Sequence, residues 1–166
     1  MVRVSELRFA RPDFHARYGA QGKEYRYTIW NAPVACPLHR LQTVHVRKPL
    51  DLVAMRRAAA MLEGTHDFAA FSANPHRETG GTVRTLWRLA VRKRGNLVTI
   101  SALGDGFLYK MVRSLAGHLM RVGTGAVPAE ETPLLLSSRR RTARVETAPA
   151  HGLCLPRSRR RHRRQA

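Results

Sequence analysis

This sequence predicts an α+β fold, with helices packed on one face of a mainly antiparallel sheet. Three observations lead there. Residues 23–31, 83–92 and 97–103 alternate between apolar and polar side chains, the period of a half-buried strand. Residues 107–122 repeat at helical spacing instead, with Leu108, Met111, Val112, Leu115, Leu119 and Val122 on one arc. The elements run β, β, α, β, β, α, which favours helices segregated to one side of hairpin-joined strands.

Taken in order, Val2, Val4, Leu7 and Phe9 suggest a first strand with a slip in its alternation, broken by Arg11-Pro12-Asp13. From Lys23 to Asn31 the alternation is clean, with Tyr25, Tyr27 and Ile29 on one face and Arg26, Thr28 and Trp30 on the other. A loop with Pro33 and Pro37 follows, then a short strand at Val44 and Val46. Asp51 is placed to cap a helix through Leu62, with Leu52, Met55, Ala59 and Leu62 inward and Gly64 past its end. Thr65 to Thr82 reads as one long loop without an element of its own. The strands at Val83–Arg92 and Leu97–Leu103 are joined by a tight turn at Gly95-Asn96. Thr132-Pro133 has the cap-then-proline signature of a short helix through Leu136.

The helix at 107–122 organises the rest. Gly106 opens it, and Gly123 closes it where a left-handed residue is often needed. Tyr109, Ala116 and Met120 widen the apolar arc, while Lys110, Ser114, His118 and Arg121 take the polar one. Arg113 lies on the edge between them and has two readings. It either lays its stem on the core with its head in water, or aims a guanidinium into a cleft at a carboxylate or phosphate.

Thirty Lys and Arg against 11 Asp and Glu give a net charge of +19. Without the six arginines of the last ten residues the body still carries +13, the field of a protein that meets a polyanion. No run approaches the roughly 20 apolar residues of a membrane span, so nucleic acid is the expected partner and no membrane is. Cys36 and Cys154 have no metal or redox spacing, and the eight histidines form no ligand set. With nothing resembling a signal peptide, the expected compartment is the cytoplasm.

Several segments then fall into one succession: Phe14-His15-Ala16-Arg17-Tyr18, Lys23-Glu24-Tyr25-Arg26-Tyr27, and Gly64-Thr65-His66-Asp67-Phe68-Ala69-Ala70-Phe71. Thr82-Val83-Arg84, Phe107-Leu108-Tyr109-Lys110-Met111-Val112-Arg113 and Ala148-Pro149-Ala150-His151-Gly152-Leu153 complete it. From Phe14 to Leu155 this resembles the C-terminal half of the bacterial tRNA pseudouridine synthases of the TruA type. The resemblance implies isomerisation of uridine to pseudouridine in the tRNA anticodon arm, by a homodimer that needs no cofactor. It implies that Tyr25 stacks on the target base, that Arg113 pairs with the catalytic aspartate, and that Leu153 packs against the target nucleotide. Arg17 and Arg84, within matching segments, are the implied RNA-binding arginines. For Arg113 the family pattern favours the cleft reading. The residue types suit the chemistry: an aromatic face holds a flipped base, and a paired arginine keeps a carboxylate ionised in a dry pocket.

The family's nucleophilic aspartate sits in an Arg-Thr-Asp-x-Gly motif that this sequence lacks. Of its aspartates, Asp51 is a helix cap and Asp67 belongs to another family motif. Asp105 could serve as a replacement, though Gly104-Asp105-Gly106 reads more simply as a turn. The expectation is a partial synthase, with a separately encoded N-terminal half as its possible complement. Residues 1–155 are expected to form the cleft and RNA-binding domain. Pro156 should end the last strand, leaving 156–166 as a disordered, arginine-rich tail. A non-catalytic basic RNA-binding module is the alternative. A small ribosome-associated basic protein would explain the charge but not Tyr25, Arg113 and the ordered motifs.

Overall fold

The computed structural model describes residues 3–4, 7, 9, 14–15, 19–74 and 80–160. Half of the residues of the expected strand over Val2–Phe9 lie outside them, and so does Arg17; the described ones, Arg3, Val4, Leu7 and Phe9, belong to no strand.

The long strand β1 (Ala20–Asn31) is the spine of a six-stranded sheet. One of its edges pairs antiparallel with β5 (Leu97–Gly104), which continues through β4 (Val83–Arg94) to β3 (Gly64–Asp67). Two strands share the other edge. β6 (Leu153–Arg160) runs antiparallel along Ala20–Tyr27, and β2 (Val44–Val46) runs parallel beside Ile29–Asn31. Buried Asn31 ties that end together: its amide donates to the carbonyls of Val46 (2.9 Å) and Lys48 (2.8 Å), and its oxygen accepts from Leu50 N (3.2 Å).

The alternation of β1 is borne out, with Tyr27 and Ile29 fully buried beneath the helices and Arg26 exposed on the opposite face. Leu89, Val91, Val98, Ile100 and Ala102 extend the buried face. They meet Met55, Ala58 and Leu62 from α1 (Leu52–Ala60) and its C-terminal turn, and Leu115 and Leu119 from α2 (Met111–Gly123). Asp51 caps α1 as expected, its carboxylate accepting from Val53 N (2.8 Å) and Ala54 N (3.0 Å). Among the described residues no helix is long and apolar enough to cross a membrane.

Several expectations need correction. Thr65–Thr82 is not a plain loop, since it contains most of β3 and a 3-10 turn at Ala69–Phe71. Four residues without apolar alternation gave β3 no visible period. The organising helix starts at Met111 rather than Phe107, because Lys110 adopts a left-handed φ of 58° that the helix cannot include. Tyr109 therefore precedes the helix and is exposed. Gly123 does not supply a left-handed turn; Gly125 does, at φ 73°. Gly123 is small because a Cβ there would lie 2.7 Å from Met55 Sδ and 2.9 Å from Leu50 Cδ2.

The polar arc of α2 is also half buried. α3 (Thr132–Ser138) and the segment after it cover that side, so Ser114 and His118 are wholly enclosed. Thr132 is not a cap but a buried partner, 2.9 Å from His118 Nε2. Finally, Pro156 does not end β6. Glu24 pairs with Arg157 and Arg26 with Cys154, so Leu155 and Pro156 together face the single residue Tyr25. Proline is tolerated in such a bulge on an edge strand, where no ladder N–H is required. The tail is therefore strand as far as Arg160.

Candidate functional site

The site residues gather where β1, β6 and the start of α2 meet. Tyr25 and Tyr27 point to the helix side of β1 because they are two apart on one strand. Tyr27 lies at the bottom, its hydroxyl donating to the Pro149 carbonyl at 2.8 Å. Tyr25, nearer the strand's start, is half-buried, and its ring meets Phe107 edge-on at 5.1 Å and 85°. Burial raises the pKa of both phenols. For Tyr27 the positive charge of Arg113 draws it partly back, the two side chains bonding the adjacent carbonyls of Pro149 and Ala148. Both phenols stay protonated at neutral pH.

Phe107 is presented by the turn from β5 into α2. Asp105 builds that turn: its carboxylate accepts from Thr85 N (3.0 Å), and its own N donates to Thr85 O (3.1 Å). It is exposed and occupied in this bonding, in agreement with the turn reading rather than with a replacement nucleophile. Gly104 lets the strand run close to β4, since a Cβ there would lie 2.6 Å from Thr85 O.

Arg113 is in the first turn of α2, half-buried. Its Nε donates to the Ala148 carbonyl at 2.6 Å, and Ala148 N returns a bond to the Arg113 carbonyl at 3.1 Å. None of the ion pairs among the described residues involves Arg113. The snorkelling reading is thus incomplete, because the group is oriented by a backbone acceptor rather than left to water. The extended segment bearing Ala148 is itself held by Arg141, whose guanidinium donates to Ser114 Oγ (2.9 Å), Val145 O (3.0 Å) and Thr147 Oγ1 (2.6 Å). Burial lowers the pKa of Arg141.

Leu153 opens β6 directly opposite Tyr27 and is half-buried. Gly152, before it, must be small, as a Cβ would lie 2.8 Å from Tyr27 Cζ. Tyr27 is therefore the hub: Leu153 beside it in register, Pro149 on its hydroxyl, Ala148 and Arg113 next along. Arg84 sits at the rim, donating to the carbonyls of Gly81 (3.0 Å) and Val83 (2.6 Å), with Nε 3.4 Å from where a Gly106 Cβ would stand. Arg17 lies outside the described residues. Among the described residues no cluster of His, Cys, Asp or Glu could hold a metal ion.

The family model for tRNA pseudouridine synthase matches residues 58–159. The chain belongs to this family. Relatives named tRNA pseudouridine synthase A agree. That of Shouchella clausii is 46% identical over 152 residues, covering 92% of this chain and 58% of its own length. The protein of Halalkalibacterium halodurans is 47% identical over 146 residues, 88% of this chain and 55% of its own. The protein of Acetivibrio thermocellus is 46% identical over 144 residues, 86% of this chain and 58% of its own. The chain thus spans under three-fifths of the curated relatives it matches. The family-matched span contains Arg113 and Leu153, and coverage of 92% necessarily takes in Tyr25.

Three participants escaped sequence reasoning: Tyr27, Phe107 and Arg141. Tyr27 shares a face with Tyr25 and could have been suspected from that alone. Phe107 was absorbed into the helix, and nothing in the sequence around Arg141 marks it as a clasp.

Proposed function

We propose that this chain is the part of a tRNA pseudouridine synthase that holds the target base and orients the catalytic carboxylate. The observation that carries the reading is the placement of Arg113, fixed by the Ala148 carbonyl beside the buried Tyr27 phenol and on the same side as the Tyr25–Phe107 pair. In the reaction the N1–C1′ bond of uridine breaks, the uracil turns, and C5 bonds to C1′. N1 gains a proton and C5 loses one, so no oxidant or cofactor is consumed. Tyr25 supplies a stacking face for the detached base, worth about 1–3 kcal/mol. Leu153 closes the pocket beside it. Arg113 turns its terminal nitrogens toward a carboxylate supplied from outside this chain and favours its charged form. The substrate is uridine in the tRNA anticodon arm, with Arg17 and Arg84 gripping the RNA. The working form is a cytoplasmic homodimer completed by an N-terminal half, encoded separately where it is not joined.

One observation favours a second reading. No carboxylate among the described residues pairs with Arg113, as a non-catalytic RNA-binding module would also allow. Tritium release from 5-tritiated uridine in unmodified tRNA separates the two. The chain alone is expected to bind without release, and to release tritium once a fragment carrying the Arg-Thr-Asp-x-Gly motif is added. Continued silence with that fragment bound would leave only the binding module.

A further inference from the structure

The face of the sheet turned away from the helices carries a charge pattern that the cleft does not use. Along β4, Arg88 and Arg92 alternate outward from Leu89 and Val91, and register sets them opposite Leu103 and Thr99 of β5. Across β5, Ser101 lies between Ala90 and Arg26 of β1. Arg26, Arg88 and Arg92 therefore stand on one surface, each exposed. Two strand spacings, about 10 Å, separate Arg26 from the β4 row, and four residues, about 13 Å, separate the two arginines within it. Arg157 joins them from β6 opposite Glu24.

None of these guanidiniums is ion-paired among the described residues, although Glu24 lines the same surface. Arg57, Arg139 and Arg144, each paired with a carboxylate among the described residues, lie elsewhere. The surface is also concave. A groove of about 230 Å³ lies between Arg26, Arg88 and Arg92, and a second of about 580 Å³ continues from Arg26 toward His39 and His151. A folded domain gains nothing in stability from several like charges held together on one open face. Such a face is complementary to a chain of regularly spaced negative charges.

We propose that this open sheet face is a second RNA-docking surface, on which Arg26, Arg88 and Arg92 each neutralise a phosphate of the bound RNA. It stands on the opposite side of the sheet from Tyr25 and Arg113 and is independent of the isomerase reading. It holds RNA outside the cleft, so that a long substrate is gripped on both sides of the sheet.

The test measures binding of an unmodified tRNA transcript to the full chain as a function of salt. Each phosphate contact contributes about 0.7–0.9 to the slope of log K against log salt. Replacing Arg26, Arg88 and Arg92 together by Gln should reduce that slope by about 2 and weaken binding at least about tenfold at low salt. The triple Lys set should keep both. All three side chains are exposed, so circular dichroism should show both sets folded. An unchanged slope in the Gln set would overturn the proposal. A Lys set as weak as the Gln set would do so too, because the effect would not follow charge. Sedimentation provides the third outcome. If the wild type is a dimer and the Gln set a monomer with the wild-type slope, the face joins two protein copies and the RNA proposal falls.

Discussion

Acid should loosen this fold through one histidine. His118 is fully enclosed in α2, with Nε2 on Thr132 Oγ1 at 2.9 Å and the Phe71 ring 5.9 Å away. Its Nδ1 is buried without a partner among the described residues. Protonation would place an N–H there with no acceptor, in a dry site that also feels the Arg121 charge. Burial first, and Arg121 second, accordingly lower its pKa from 6.5 to about 4. Between those values the unfolded chain binds a proton that the folded chain refuses, so stability rises with pH across this window. The contribution is intact above pH 6.5 and is lost as pH falls toward 4. A drop of this size corresponds to about 3 kcal/mol, a large part of the margin of an ordinary domain. Urea unfolding at several pH values between 7.5 and 4 measures it, with His118→Gln as the reference that cannot titrate. The wild type should lose about 3 kcal/mol more than the variant over that range. Parallel curves for the two proteins would refute the reasoning and leave the acid sensitivity to carboxylates.

Three further outcomes follow from individual contacts. Tyr27→Phe removes the bond to Pro149 O and should cost about 1 kcal/mol, seen as a fall of about 2–4 °C in Tm. An unchanged Tm would mean that water satisfies the carbonyl equally well. Gly117→Ala would gain about 1 kcal/mol in helix propensity, but its Cβ would overlap the Glu146 carbonyl oxygen, a backbone atom that cannot swing away. A net loss of about 1–3 kcal/mol is expected, and a stabilised variant would show that the segment after α3 yields. Tyr25→Leu should abolish uridine isomerisation in the completed enzyme while tRNA affinity stays within about threefold, since stacking on one base is a small share of a charge-driven affinity. A collapse of affinity would make Tyr25 a structural residue.

Much of the fold is legible in the chain because periodicity is a local property. The faces of β1, the β4–β5 hairpin with its turn at Gly95 (φ 58°), and the cap of α1 by Asp51 all rest on residues within a few positions of each other. The family resemblance likewise rests on short motifs in order, and the residues it singled out, Tyr25, Arg113 and Leu153, converge on neighbouring elements. What is covered by distant segments was not legible. Ser114 and His118 read as polar-face residues because a wheel shows one helix and not α3 lying across it. Pro156 read as a stop because the bulge that excuses it exists only in register with β1.

The sequence alone determined which stretches alternate, which turn, and which family's motifs they spell, since each depends on neighbours along the chain. Tertiary structure decided the rest: that Arg113 is aimed by the Ala148 carbonyl 35 residues away, that Tyr27 is the hub of the site, and that three arginines from two strands share one open face. Those are relations across long loops, and only burial against a partner segment turns a residue type into a position with a role.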